Sequence, residues 1–221
     1  MPEIYRAVEV SEKDNAHAPG TALDPASVCV RALLARLPCR EPTRAHQREA
    51  CRYLIGRLLT SFPAGFHHTS QWSVERARSG APRLDCDGKP SGLDVSLSHN
   101  GPWLAVAVGR NASVGVDVER ARPFRDVAAM AEYMGWSRQV SSLDDFLERW
   151  TLWEACVKVE QSSIFSKQST AFAALAKLSG ANALQSAGRW AAVRMRESGS
   201  ARFALALRQR GAKPLQLGNL I

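Results

Sequence analysis

The 221-residue sequence predicts an α+β fold built on antiparallel sheet, and three observations lead there. Helical and strand-like periodicities both occur, in segments of ordinary length. The strand-like runs cluster in pairs separated by short turn-rich links, which is hairpin spacing rather than crossover spacing. Each half of the chain also carries a long helix followed, at some distance, by a strand pair, although no residue-level repeat is visible.

The elements follow in order. Apolar side chains alternate at Ile4, Val8 and Val10 before the chain turns polar up to Pro25, which predicts one strand and a loop. Residues Pro25 to Leu37 read as a helix, broken by Pro38 and Pro42. A second helix is predicted from about Thr43 to Ser61. Ala50, Tyr53, Leu54 and Leu58 recur there at helical spacing, while Arg44, Arg48 and Arg52 step along another face by fours. Phe62-Pro63-Ala64-Gly65 ends it. From His67 to Pro90 the chain reads as turns, two of them Gly-x-Pro: Gly80-Ala81-Pro82 and Gly88-Lys89-Pro90. Three strands are expected next, over Asp94 to Ser98, Trp103 to Gly109 and Ser113 to Glu119. The last two should form a hairpin through Arg110-Asn111-Ala112-Ser113. A helix over Phe124 to Met134 and a polar link from about Ser137 lead into the most strongly patterned helix, Asp145 to about Val159. Strands over Arg189 to Arg196 and Arg202 to Arg208, joined by Glu197-Ser198-Gly199-Ser200, complete the pattern.

Composition narrows the function classes. With 45% hydrophobic and 23% charged residues the chain is an ordinary globular sequence, so disorder is not expected. The amino-terminal stretch MPEIYRAVEVSEKD carries charge where a secretory apolar core would lie, and the longest apolar run, Trp103 to Val108, is too short to span a bilayer. A cytoplasmic protein with no membrane partner is the expectation. Five cysteines without a C-x-x-C pair (Cys29, Cys39, Cys51, Cys86, Cys156) read as reduced thiols packed like small hydrophobes, neither a disulfide framework nor a zinc site. The net charge of +8 comes mainly from arginine, 23 against 6 lysines, which suits a polyanionic ligand or an acidic partner. Because the basic residues form no dense run, nucleic acid is not the expected partner.

Three short segments carry candidate chemistry. In Val114-Gly115-Val116-Asp117-Val118-Glu119 the period of two puts Asp117 and Glu119 on one strand face, with the valines on the other. Two neighbouring carboxylates repel unless a cation lies between them, and a hard cation such as Mg²⁺ takes such ligands together with substrate phosphates. An isolated D-x-E is ordinarily just a solvated edge. In the helix, Phe146, Trp150, Trp153 and Val157 form an apolar stripe, and Glu154 and Lys158 share a different face with Thr151. Small neighbours at Thr151 and Ala155 would let that face approach another layer closely. In Ser96-Leu97-Ser98-His99-Asn100, hydroxyl and imidazole donors cluster at a strand end, where they suit phosphate oxygens better than nucleophilic catalysis.

Together and in this order, S-L-S-H-N, V-G-V-D-V-E and F-x-x-x-W-T-L-x-E-A-x-x-K resemble the signature of the 4′-phosphopantetheinyl transferase superfamily, in its larger single-chain form. The resemblance is clearest over Gly80 to Lys158 and extends more weakly to Arg52-Tyr53-Leu54-Ile55-Gly56 and the carboxy-terminal strands. It implies two similar lobes, residues 1–110 and 111–221, each with a long helix on a small antiparallel sheet. A pseudo-twofold axis would relate them, with the active site between. It implies an enzyme that transfers 4′-phosphopantetheine from coenzyme A to a serine of an acidic apo acyl- or peptidyl-carrier protein and releases 3′,5′-ADP. Carried over by position, Asp117, Glu119 and Glu154 are the ligands of Mg²⁺, or of Mn²⁺ in its place. Glu154 and Lys158 act in catalysis, and Arg52, Lys89, Ser98, His99 and Lys158 hold coenzyme A. Which Gly-x-Pro turn meets the adenine is left open, because the first has Ala81 at the usual basic position while Lys89 lies close to His99. A chain that already holds two lobes is expected to be a monomer.

The sequence departs from that signature in three places. Trp153 stands where a lysine commonly precedes the motif glutamate, the stretch from Glu119 to Glu154 is short, and Val159-Glu160-Gln161-Ser162-Ser163-Ile164 is not glycine-rich. The alternative reading is an impaired family member that binds coenzyme A or a carrier protein without transfer. The retained Asp117, Glu119, Glu154 and Lys158 speak against it.

Overall fold

A computed structural model describes residues 1–11, 27–62, 71–77, 80–121, 126–163, 168–177, 184–197 and 201–210. Its α+β architecture is a stack of four layers: helix, sheet, sheet, helix. The first sheet has the order β1-β2-β7-β6, from β1 (Glu3–Ser11), β2 (Cys29–Arg36), β6 (Asp94–Asn100) and β7 (Trp103–Arg110). The second has the order β8-β11-β10-β9, from β8 (Ala112–Arg120), β9 (Leu184–Ala187), β10 (Trp190–Glu197) and β11 (Ala201–Gln209). All pairings are antiparallel. The inner faces meet in one core, where Val8, Val30, Leu34 and Trp103 pack with Val114, Val116, Val118, Phe203 and Leu205. Helix α1 (Arg44–Ser61) covers the outer face of the first sheet through Leu54, Ile55 and Leu58. Helix α3 (Leu143–Glu160) covers that of the second through Phe146, Leu152, Cys156 and Val157, with α2 (Val127–Tyr133) and α4 (Thr170–Leu175) beside it.

Local chemistry sets the helix starts. The Thr43 hydroxyl accepts from the His46 N–H at the head of α1, and Ser142, Asp126 and Ser169 cap α3, α2 and α4 in the same way. On the outer face of the second sheet stand Gly115, Ala192, Ala204 and Ala206, small enough for α3 to lie very close. A Cβ built on Gly115 would sit 2.0 Å from the Ala155 carbonyl oxygen, so only glycine fits at this crossing.

Several sequence expectations need correction. Residues 29–36 form a strand rather than the predicted helix, while residues 25 and 26 lie outside the described residues. Strand β2 is buried on both faces, between α1 and the second sheet, so the period-two signal vanishes and an apolar run mimics a helix. The expected hairpin between the second and third motif strands does not form. Asn111 takes a left-handed turn (φ 55°) and β8 leaves the first sheet to pair with β11. The turn-rich region contains a three-stranded sheet, β3 (Trp72–Arg76), β4 (Pro82–Cys86) and β5 (Lys89–Pro90). Asp87 and Gly88, both at positive φ, make the tight turn between β4 and β5. Neither α4 nor β9 was expected. The predicted loop before Pro25, the helix terminator at 63–65, the start of the Phe124 helix and the Ser198-Gly199-Ser200 link lie outside the described residues. The remaining strands and helices fall within a few residues of expectation.

Candidate metal centre and adjoining cleft

Strand β8 and helix α3 build the first half of the site. Because Gly115 lets α3 approach, Glu154 and Lys158 on the helix reach Asp117 and Glu119 on the strand face next to it. One carboxylate oxygen from each of Asp117, Glu119 and Glu154 lies within 4.8 Å of the other two. The Lys158 Nζ sits among them, 2.7 Å from Asp117 Oδ1, 3.7 Å from Glu154 Oε2 and 2.9 Å from the Val116 carbonyl oxygen. All three predicted acids and the predicted lysine are therefore together.

Strand β6 hydrogen-bonds these carboxylates from the other side. The Ser98 hydroxyl donates to Asp117 Oδ1 at 2.7 Å, and the Asn100 amide donates to Glu119 Oε2. Asp117 is 2% exposed, and with Oδ1 taking both Ser98 and Lys158, its Oδ2 is buried without a partner among the described residues. A buried bare carboxylate oxygen is costly unless a cation or a proton meets it, and here the protonated Glu154 carboxyl can donate to Asp117 when no cation is bound. The donor set, three carboxylates on a shared space with one oxygen left bare, fits a hard divalent cation such as Mg²⁺ or Mn²⁺. Burial, with the negative charge of Asp117 next in weight, pushes the Glu154 carboxyl up to about 7, against the pull of Lys158.

On the other side of β6 lies a cleft of about 630 Å³ between α1 and the small sheet. Arg44, Arg48 and Arg52 line it from α1, Arg76 from β3 and His99 from the end of β6. Burial and the cations Lys158 and Arg44 hold the His99 imidazole below its ordinary range, so it is neutral near pH 7. Four arginines against one lining acid, Glu75, give the cleft a positive balance that suits a ligand carrying more than one phosphate. Adjacent residues of one strand thus face two environments, Ser98 the carboxylates and His99 the cleft.

Other predicted site residues fall differently. Arg52 lines the cleft as one of four arginines. Ser98 is bound to Asp117 and does not line the cleft, which differs from the expected phosphate contact. Lys89 is exposed on β5 and is not among the cleft-lining residues, whereas Gly80 and Pro82 of the other Gly-x-Pro turn are. The reason is topological: β3 and β4 form the cleft wall, and β5 pairs on the side of β4 away from β3. Trp153 does not touch the carboxylates. It packs at 5.3 Å between ring centroids from Phe172 and at 6.1 Å from Trp136, on a different face of α3. Of the five free cysteines, Cys29 and Cys156 are buried and Cys39 is exposed, so Cys39 is not the packed thiol expected.

Sequence reading missed Arg76 and the role of Asn100. Arg76 stood in a segment read as turns. Asn100 had a usable signal, because Asp94, Ser96, Ser98 and Asn100 alternate as polar residues along one strand face. No protein-family model matches this chain, and no curated protein matches it at a significant level.

Proposed function

We propose that this chain is a divalent-cation-dependent 4′-phosphopantetheinyl transferase. It moves 4′-phosphopantetheine from coenzyme A to a serine of an apo acyl- or peptidyl-carrier protein and releases 3′,5′-ADP. The observation that carries the reading is the junction at Ser98-His99, where a three-carboxylate cluster with Lys158 adjoins an arginine-lined cleft. In this reading the 3′,5′-ADP half of coenzyme A lies in the cleft, with Arg44, Arg48, Arg52 and Arg76 around its phosphates and His99 toward the pyrophosphate. Asp117, Glu119 and Glu154 hold Mg²⁺ or Mn²⁺, which when bound neutralises pyrophosphate charge.

The residues of the chain divide the remaining work. The carrier serine oxygen attacks the β-phosphorus of coenzyme A, and the bond from that phosphorus to the 3′,5′-ADP oxygen breaks. The serine proton passes to the Glu154 carboxylate, directly or through water. Lys158 offsets negative charge on the departing side. The net charge of +8 favours both the polyanionic co-substrate and an acidic carrier. The same reading takes residues 1–110 and 111–221 as two lobes about a pseudo-twofold axis, α1 on one sheet and α3 on the other, acting as a cytoplasmic monomer.

Incubation with coenzyme A, Mg²⁺ and a panel of apo carrier proteins, followed by intact mass measurement, tests the proposal. A carrier should gain one phosphopantetheine mass, and chelation or Glu154→Gln should abolish the gain. Coenzyme A binding without any mass gain across the panel would instead mark a protein that binds and does not transfer.

A further inference from the structure

Strands β6 and β8 are edge strands of different sheets, and they meet through side chains rather than through a backbone ladder. One edge of β8 pairs with β11. Along its other edge, the Val114, Val116 and Val118 N–H groups donate to Asp94 Oδ2 (2.7 Å), Ser96 Oγ (3.0 Å) and Ser98 Oγ (3.4 Å). Alternate residues of β6 therefore fix the register of β8, one side chain for each step of two. Ser98 and the next residue on this face, Asn100, also reach the carboxylates of β8. Ser98 donates to Asp117 Oδ1, and Asn100 donates to Glu119 Oε2.

We propose that Ser98 and Asn100 are positioning residues, which aim the carboxylates of Asp117 and Glu119 at the cation rather than touching coenzyme A. The inference rests on the cation reading above. A carboxylate can rotate about its last bond, and a donor on one oxygen stops that rotation and leaves the other oxygen fixed in direction. For Asp117 the two donors, Ser98 and Lys158, both take Oδ1, so Oδ2 is left buried and bare among the described residues. Ser98 spends its only proton on Asp117 and accepts from the Val118 N–H, so it has no proton left to offer a phosphate oxygen. Hydrogen-bond partners behind metal ligands ordinarily matter to affinity by about 10–100-fold.

Titration of the metal-free protein with Mn²⁺, followed by electron paramagnetic resonance of the free ion, measures the affinity without any transfer reaction. Ser98→Ala and Asn100→Ala should each weaken Mn²⁺ binding by about tenfold or more. Binding of 3′,5′-ADP in metal-free buffer should stay within about twofold of the unaltered protein. Ser98→Thr, which keeps the hydroxyl, should restore Mn²⁺ affinity. Asn100→Leu, close in size, replaces Asn100→Ala if the latter does not fold. Unchanged Mn²⁺ affinity in the variants beside a binding wild type overturns the inference and leaves the cation reading standing. A loss of metal-free 3′,5′-ADP binding in Ser98→Ala with Mn²⁺ affinity intact also overturns it, in favour of a direct phosphate contact. A wild-type protein that binds no Mn²⁺ overturns both.

Discussion

Glu154 is where single-residue chemistry can be measured most directly. Its carboxyl stands near 7 because it is buried and faces Asp117, so the folded protein holds this proton more tightly than the unfolded chain, where the group titrates near 4.5. A raised carboxyl stabilises the fold fully below the unfolded value and loses that contribution as pH rises. Metal-free protein should therefore lose stability between about pH 4.5 and 7, read by thermal unfolding across that range. Glu154→Gln should flatten that slope and slow transfer by at least about a hundredfold, the ordinary scale for a lost general base. Asp117→Asn removes the negative neighbour and frees Lys158 for Glu154, and both changes act in one direction. The Glu154 titration, followed by carbon NMR, should move down toward the ordinary carboxylate range.

At the scale of elements, the crossing of β8 and α3 decides whether the site assembles. Gly115→Ala would force its Cβ against the Ala155 carbonyl at 2.0 Å, with the Val159 amide at 2.9 Å, both backbone atoms that cannot step aside. The helix must shift, at about 1–3 kcal/mol of overpacking, and Glu154 and Lys158 move with it. Lower unfolding temperature together with weaker Mn²⁺ binding is the expected pair of effects. At the end of α3, Gln161 caps the helix in the left-handed region at φ 51°. Gln161→Gly should relieve about 1 kcal/mol of strain, offset in part by the greater freedom of glycine when unfolded, for a net gain below about 1 kcal/mol in denaturant titration. These elements also mark what the sequence could tell. Helix α1 was legible because it has one wet face, which preserves the 3.6-residue period, and α3 because half-buried charged positions at Glu148, Glu154 and Lys158 interrupt its apolar ones. Strand β2 was not, because α1 on one side and the second sheet on the other bury both of its faces. Within the site, Asp117, Glu119, Glu154 and Lys158 were legible from spacing and wording alone. The bond from Ser98 to Asp117 was not legible, since no local pattern says that β6 lies beside β8.

For the whole molecule, the candidate cation site draws on three layers. Asp117 and Glu119 belong to the second sheet, Glu154 to the helix covering it, and the hydrogen bonds from Ser98 and Asn100 reach in from the first sheet. A ligand that binds only when these layers are assembled stabilises the entire fold by mass action, about 2.7 kcal/mol at a hundredfold excess over its dissociation constant. For a chain of this size, that corresponds to roughly 5–10 °C in unfolding temperature. Saturating Mg²⁺ should produce a shift of this order, and Asp117→Asn should remove most of it. The shift should also depend on pH, with its sign fixed by Glu154. The carboxyl must give up its proton to serve as a ligand, so the Mg²⁺-induced shift should grow as pH rises through about 7 and shrink below it. That is opposite in sign to the metal-free trend, in which stability falls over the same range. The two curves should diverge with rising pH, and a Mg²⁺ shift that stayed constant from pH 5 to 8 would separate Glu154 from the cation.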